Sequence, residues 1–197
     1  NFRILKKLIK QESMIKKVPE KKQRKVILTR GIDINTYNKI KETYVKNYTS
    51  SWAVWEKPGK GIKSNMGNVS FLKNPTQELL KILNPNIILV SLNVSKDIKL
   101  DLFQNWHPTY STAQDYKLRY ALLDTPLWGS YMTDIIKNYP EMESSKVVRT
   151  SYLRKNPKVE KENIEEFEKE LNMLGSVNPI LIAQGKTTYD ILKRNLK

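Results

Sequence analysis

The stretch Ile87-Ile88-Leu89-Val90-Ser91-Leu92-Asn93-Val94-Ser95 decides the fold. Its opening run of β-branched and aliphatic residues predicts a strand buried on both faces, as in a parallel sheet. The apolar run stops at Asn93. Ligands of open α/β sheets bind outside the carboxyl ends of the strands, so a polar side chain there is a candidate for chemistry. The same residue type also caps turns, and spacing alone leaves both readings open.

Working outward, Asn74-Pro75-Thr76-Gln77 predicts a helix start, with Asn as cap, Pro first and Gln third. That helix is expected to end near Leu83, and Asn84-Pro85-Asn86 to turn the chain into the strand. Upstream, residues 34–48 suggest a helix, residues 51–55 a short strand and residues 57–67 a Gly/Pro/Lys-rich loop. Downstream, Ser111 and Gln114 resemble a capping box opening a helix through Leu123, and residues 128–136 read as a second strand. Ile164, Phe167, Leu171 and Leu174 recur at helical spacing over residues 159–174, and Gly175 ends that helix. Pro179-Ile180-Leu181-Ile182-Ala183 reads as a third buried strand, followed by a helix over residues 187–196. Alternating strands and helices predict an α/β fold, a doubly wound parallel sheet with helices on both faces. The expected organisation is a basic N-terminal arm over residues 1–30 and one α/β domain over 31–197.

Charge names a class of partner. The chain of 197 residues has 35 Lys+Arg against 20 Asp+Glu, a formal net charge of +15. Residues 1–30 hold eleven Lys or Arg and two Glu, so this short segment supplies +9 of the total. Such an excess points to a polyanion, DNA or another nucleic acid, with Lys16, Lys17, Lys21, Lys22, Arg24 and Lys25 as contacts. Phe2, Leu5 and Ile9 share a helical stripe, but that apolar face is short for membrane binding. With no cysteine there is no disulfide, thiolate zinc site or iron–sulfur cluster. His107 is the single histidine, which excludes a histidine-rich metal site within one chain. No apolar run approaches the ~20 residues that span a bilayer, and the expectation is a cytoplasmic protein without metal or cofactor.

Three further places carry chemistry in outline. Gly185-Lys186-Thr187 stands at a strand-to-helix junction, but Ile180 occupies the position of the first P-loop glycine, so that motif is rejected. What survives is a helix start able to meet a phosphate through backbone N–H groups, or a structural turn. Phe103, Trp106 and His107 lie in a short polar and aromatic segment, where they stack on a base or pack internally. Asp134 interrupts an apolar strand, and a carboxylate there needs a partner or a cavity.

These landmarks resemble the uracil-DNA glycosylase superfamily over about residues 80–197. Leu92-Asn93-Val94-Ser95 after a buried strand resembles its first motif, which is Gly-Ile-Asn-Pro in the mismatch-specific branch. Thr133-Asp134-Ile135-Ile136-Lys137, with Pro140 following, is similar to the Thr-Asn-Val-Val-Lys…Pro segment. Leu181-Ile182-Ala183-Gln184-Gly185-Lys186-Thr187 is similar to the strand ending in Leu-Gly-Lys-X-Ala. The resemblance implies a three-layer αβα sandwich with a short central parallel sheet, which extrudes a base from DNA and hydrolyses its N-glycosidic bond. It implies Asn93 as the catalytic residue that orients water, with Ser91 and Ser95 beside the substrate. Phe103 or Trp106 would supply the aromatic platform; His107 is a candidate substrate contact by its own place in the segment after the strand. Lys137, Gly185, Lys186 and Thr187 would meet the nucleic acid. Asp134 falls where the family reads the base with Asn; an ionised Asp only accepts hydrogen bonds, which directs the expectation to a base other than ordinary uracil. Val94 replaces the motif's Pro. The family's last motif, a His-containing loop, has no counterpart before Lys197, so it lies beyond that residue or is missing. The alternative is a nucleic-acid-binding protein that keeps the fold without catalysis.

Overall fold

The computed structural model describes residues 30–44, 50–59, 66–95, 103, 105–108, 114–137, 139–148 and 152–196. The basic arm, with Lys16, Lys17, Lys21, Lys22, Arg24 and Lys25, lies outside the described residues, as does the expected cap at Ser111.

Four strands form one mixed sheet: β1 (Ser50–Trp52), β2 (Asn84–Asn93), β3 (Ser130–Ile136) and β4 (Ile180–Ala183), in the order β1-β3-β2-β4. β2 runs parallel to β3 on one side and to β4 on the other, while β1 pairs antiparallel with β3. The parallel sheet expected from sequence therefore comprises three strands, and β1 is the exception. Around it lie α1 (Ile34–Tyr44), α2 (Gln77–Ile82), α3 (Tyr116–Leu122), α4 (Ser144–Val148), α5 (Tyr152–Lys155), α6 (Pro157–Met173) and α7 (Lys186–Asn195). No helix among the described residues is long and apolar enough to cross a membrane.

The run that opened the sequence reading is the centre of the sheet. Ile87, Ile88, Leu89 and Val90 are all buried, so both faces of β2 are covered, as an unbroken apolar run requires. Burying each such side chain contributes roughly 1.5–3 kcal/mol. β4 departs from the expectation of a buried strand. Among the described residues it pairs only with β2, and Ile180 is 44% exposed, so its apolar composition belongs to a sheet edge.

Two local readings also shift. The cap of α2 is Thr76, whose hydroxyl accepts from the Leu79 N–H at 3.2 Å, and not Asn74. The Asn84-Pro85-Asn86 segment is the start of β2 rather than a turn before it. Asn84 pairs with Ser130, and a register irregularity follows before Ile88. Asn84 N–H donates to Gly129 O at 2.7 Å, and Gly129 N–H to Ala53 O at 2.9 Å. At Gly129 φ is +88°, and an added Cβ would stand 2.1 Å from Ile82 O. Only glycine lets β1, β3 and the end of α2 meet there.

Register sorts the side chains between the two faces. Tyr131 and Thr133 reach Glu170 of α6, so odd-numbered residues of β3 face that helix. Trp52, opposite Tyr131, and Ile88 and Val90, beside Tyr131 and Thr133, share this face. α7 joins the same side, because Arg194 pairs with Glu160 of α6 at 2.5 Å. The other face carries Met132 and Asp134 of β3, Leu89, Ser91 and Asn93 of β2, and Ile182 of β4.

Candidate functional site

Near the carboxyl ends of the parallel strands this second face turns from apolar to polar. Ser91 stands in register with Asp134, and Asn93 follows two residues, about 6.6 Å, further along β2. The Ser91 hydroxyl donates to Gln184 Oε1, and Gln184 N–H extends the β2–β4 pairing by donating to Val90 O at 2.7 Å. From the opposite flank, Asn105 Nδ2 donates to Asp134 Oδ2 at 2.9 Å. The result is a continuous polar row, Asn105–Asp134–Ser91–Gln184, with Asn93 above it. The structure thus brings Ser91, Asn93 and Asp134 together at one end of the sheet. Asn105 and Gln184 are additions that no spacing rule revealed. The signal for Gln184 was its place immediately after an apolar strand, the same signal that singled out Asn93.

Asn93 is held in one orientation. Its Nδ2 lies 2.9 Å from each of the carbonyls of Val94, Tyr139 and Glu141, and Glu141 N–H returns a bond to Val94 O at 3.0 Å. Three acceptors around one end of the amide define that end as NH₂. Oδ1 is left without a hydrogen bond among the described residues, as a fixed acceptor at the end of β2. The amide also ties β2 to the segment after β3. Ser95, two residues on, is exposed.

Asp134 is 1% exposed. Burial pushes its carboxyl up to about 7; Asn105 and Lys137 pull it down, and Glu170 and Asp115 add to the rise. Burial likewise raises the carboxyl of Asp115, the residue that precedes α3.

Asn105 is presented by a segment fastened to β1. His107 is fully buried, with Nε2 3.0 Å from Val54 O and Nδ1 3.1 Å from both Asn105 O and Ser51 Oγ. Its ring stacks on Trp55 at 4.9 Å, and Ser51 Oγ donates to Phe103 O at 2.5 Å. Burial drives the imidazole down to about 4, against the pull of the Val54 and Asn105 carbonyls, so the ring is neutral at neutral pH. Phe103 and Trp106 adopt positive φ, +56° and +65°, and both are buried. Phe103 packs edge-on against Tyr37 with centroids 5.3 Å apart. His107, Phe103 and Trp106 therefore occupy packing positions, from which they set the place of Asn105.

Lys137 lies across the sheet from the row. Its ammonium is 2.8 Å from Glu170 Oε2 and 2.8 Å from Thr133 Oγ1, and it donates to Asp134 O at 3.1 Å. Both members of the Lys137–Glu170 pair are buried. The cation that the sequence reading turned toward a phosphate is thus turned into the core. Gly185, with φ +106°, precedes α7; Lys186 is exposed and pairs with Asp190 at 2.5 Å, and Thr187 is half-buried. These three stand on the surface one residue past the row. No group of three or more His, Cys, Asp or Glu able to hold a metal ion exists among the described residues.

No family model, curated protein or solved structure matches this chain.

Proposed function

We propose that this is a cytoplasmic DNA-binding protein of uracil-DNA glycosylase-like type, which hydrolyses the N-glycosidic bond of an extruded base other than uracil. In this reading the domain is a three-layer αβα sandwich, with α6 and α7 on one face and the Asn105 segment with α3 on the other. DNA lies across the carboxyl ends of β2, β3 and β4, drawn by the +15 charge and its concentration in the arm. The observation that carries the reading is the fixed amide of Asn93. Its NH₂ is occupied by three carbonyls, and its Oδ1 remains as the acceptor at the strand end. An acceptor held there orients a water by taking one of its hydrogens, leaving an oxygen lone pair for the sugar carbon. An amide is no base. The rate then rests on stabilising an oxocarbenium-like sugar through DNA phosphates and fixed dipoles.

A second reading has its own observation. Asn93 already has a complete structural job in tying β2 to residues 139–141, which suits a nucleic-acid-binding protein with the same fold and no catalysis. One experiment separates the two. Duplexes with a panel of damaged or mismatched bases are assayed for abasic sites with the full chain and with Asn93→Ala. The glycosylase reading expects product from the parent and a loss of about 100-fold or more in the variant. Both proteins should bind DNA with affinity that falls linearly in log–log form with salt. Activity unchanged in Asn93→Ala removes the assigned role. No product with steep salt-dependent binding leaves the second reading, and salt-independent or absent binding overturns both.

A further inference from the structure

The polar row has a definite hydrogen-bonding character, which follows from what each of its groups has left to offer. Asn105 Nδ2 is engaged with Asp134, leaving Asn105 Oδ1 as an acceptor. Asp134 takes that bond on Oδ2, leaving Oδ1 without a partner among the described residues, on a side chain that is 1% exposed. Asn93 contributes Oδ1 alone. Gln184 has its Oε1 engaged by Ser91, which leaves its Nε2 as the amide nitrogen of the row without a partner among the described residues, while Asn105 Nδ2 keeps one further hydrogen. Acceptors thus cluster around Asp134, and a donor stands at the β4 end. Asp115 adds a second carboxyl to the electrostatics of Asp134. Above about pH 7, where the Asp134 carboxyl is ionised, an anion has no place beside these groups and a ligand carbonyl facing Asp134 meets only lone pairs.

We propose that this row binds a nucleobase carrying an exocyclic amino group, of cytosine type, with Asp134 and Asn105 accepting from the amino group and the Gln184 amide donating to the ring carbonyl. This deepens the glycosylase reading at the same site and takes from it only that the ligand is a base. Asp134 and Ser91 are in register on neighbouring strands about 4.8 Å apart, and the Gln184 side chain comes in from the next strand to meet Ser91, so acceptors and donor are drawn toward β2 from either side. The stapled His107 and the buried Phe103 and Trp106 hold Asn105 in place, so the acceptor pair is set before a ligand arrives. DNA phosphates must be held elsewhere, on the surface cations. Asp134 and its partner Asn105 become the residues that determine specificity, and Gln184 the residue that fixes the base's orientation.

The test uses free cytosine, free uracil and inorganic phosphate as probes, titrated into the full chain at millimolar concentrations and followed by NMR of the side-chain amides. Cytosine should shift the Asn105 and Gln184 amide signals and bind about tenfold or more tightly than uracil, the discrimination of a single well-made pairing. Phosphate should leave those signals in place. Asp134→Asn, checked for an intact melting transition, replaces an acceptor by an amide that also donates and should reverse the preference toward uracil. Uracil binding as tightly as cytosine in the parent, or Asn105 and Gln184 signals unmoved by cytosine, overturns the proposal without any variant. Cytosine binding without abasic-site formation keeps this assignment and removes the glycosylase reading. Excision of a damaged base other than uracil, without cytosine binding, does the reverse.

Discussion

Truncating Glu170 to alanine is expected to destabilise the fold by about 3–5 kcal/mol, measured as a fall in the urea midpoint at unchanged slope. Glu170 is fully buried and accepts from Tyr131 Oη at 2.6 Å, Thr133 Oγ1 at 2.9 Å and Lys137 Nζ at 2.8 Å. Alanine takes from two hydroxyls and an ammonium the carboxylate that they share, all inside the sheet–helix interface. The paired change Lys137→Met with Glu170→Leu removes both charges together. It should recover most of the loss, because the deficit arises from keeping one buried charge after its ion-pair partner is removed and not from the absence of attraction. A Glu170→Ala variant within about 1 kcal/mol of the parent would show that water reaches Lys137 and that the network is not sealed.

The second large effect is a dependence on pH. Asp134 has its folded carboxyl at about 7 against an ordinary 3.8, so the folded state holds a proton that the unfolded chain gives up. Its contribution makes stability fall as pH rises from about 4 to 7. His107 works in the opposite sense. Its folded imidazole lies near 4 against an ordinary 6.5, so stability rises with pH over about 4 to 6.5. The two slopes oppose each other in one window, and the parent should show a nearly level stability there. Asp134→Asn removes the first slope and exposes the second. The variant should match the parent near pH 4 and exceed it by roughly 2–4 kcal/mol near pH 8, with stability climbing through the interval between. Parallel curves for parent and variant would mean that Asp134 is not the group responsible.

The sheet was legible in the sequence where burial was symmetric. An uninterrupted run such as residues 87–90 needs apolar surroundings on both faces, and that demand is local. Helix α6 was equally plain: Ile164 and Phe167 face the core at helical spacing, and Gly175 stops it with φ +67°. β4 misled because an edge strand with the same composition has neighbours on one side only. Pro85 hid the start of β2, since a proline beside two asparagines reads as a turn until a bulge accommodates it. At the site, Asn93 and Asp134 were found because each breaks an apolar pattern, and Ser91 only through the family resemblance. Their partners were not, because the bonds that define them are remote: Asn105 is 29 residues from Asp134, and Glu170 is 33 from Lys137. A lysine next to a strand end looks like a surface cation until the acid that neutralises it is brought in by another element. The aromatic pair Phe103 and Trp106 looked like a stacking platform for the complementary reason, since nothing local shows that Tyr37 already occupies one of them.

The three carbonyls around Asn93 also decide how this position ages. Hydrolytic loss of the side-chain amide is an ordinary chemical lesion of asparagine, and it yields the smallest change of shape a residue can suffer. Here it replaces the amide that donates to the oxygens of Val94, Tyr139 and Glu141 with a carboxylate facing them. The aspartate, nearly identical in outline, is therefore the more damaging occupant, worse than the alanine that leaves a gap water can enter. An acid engineered at this position to strengthen the attack on a sugar would push apart the strand end on which that attack depends.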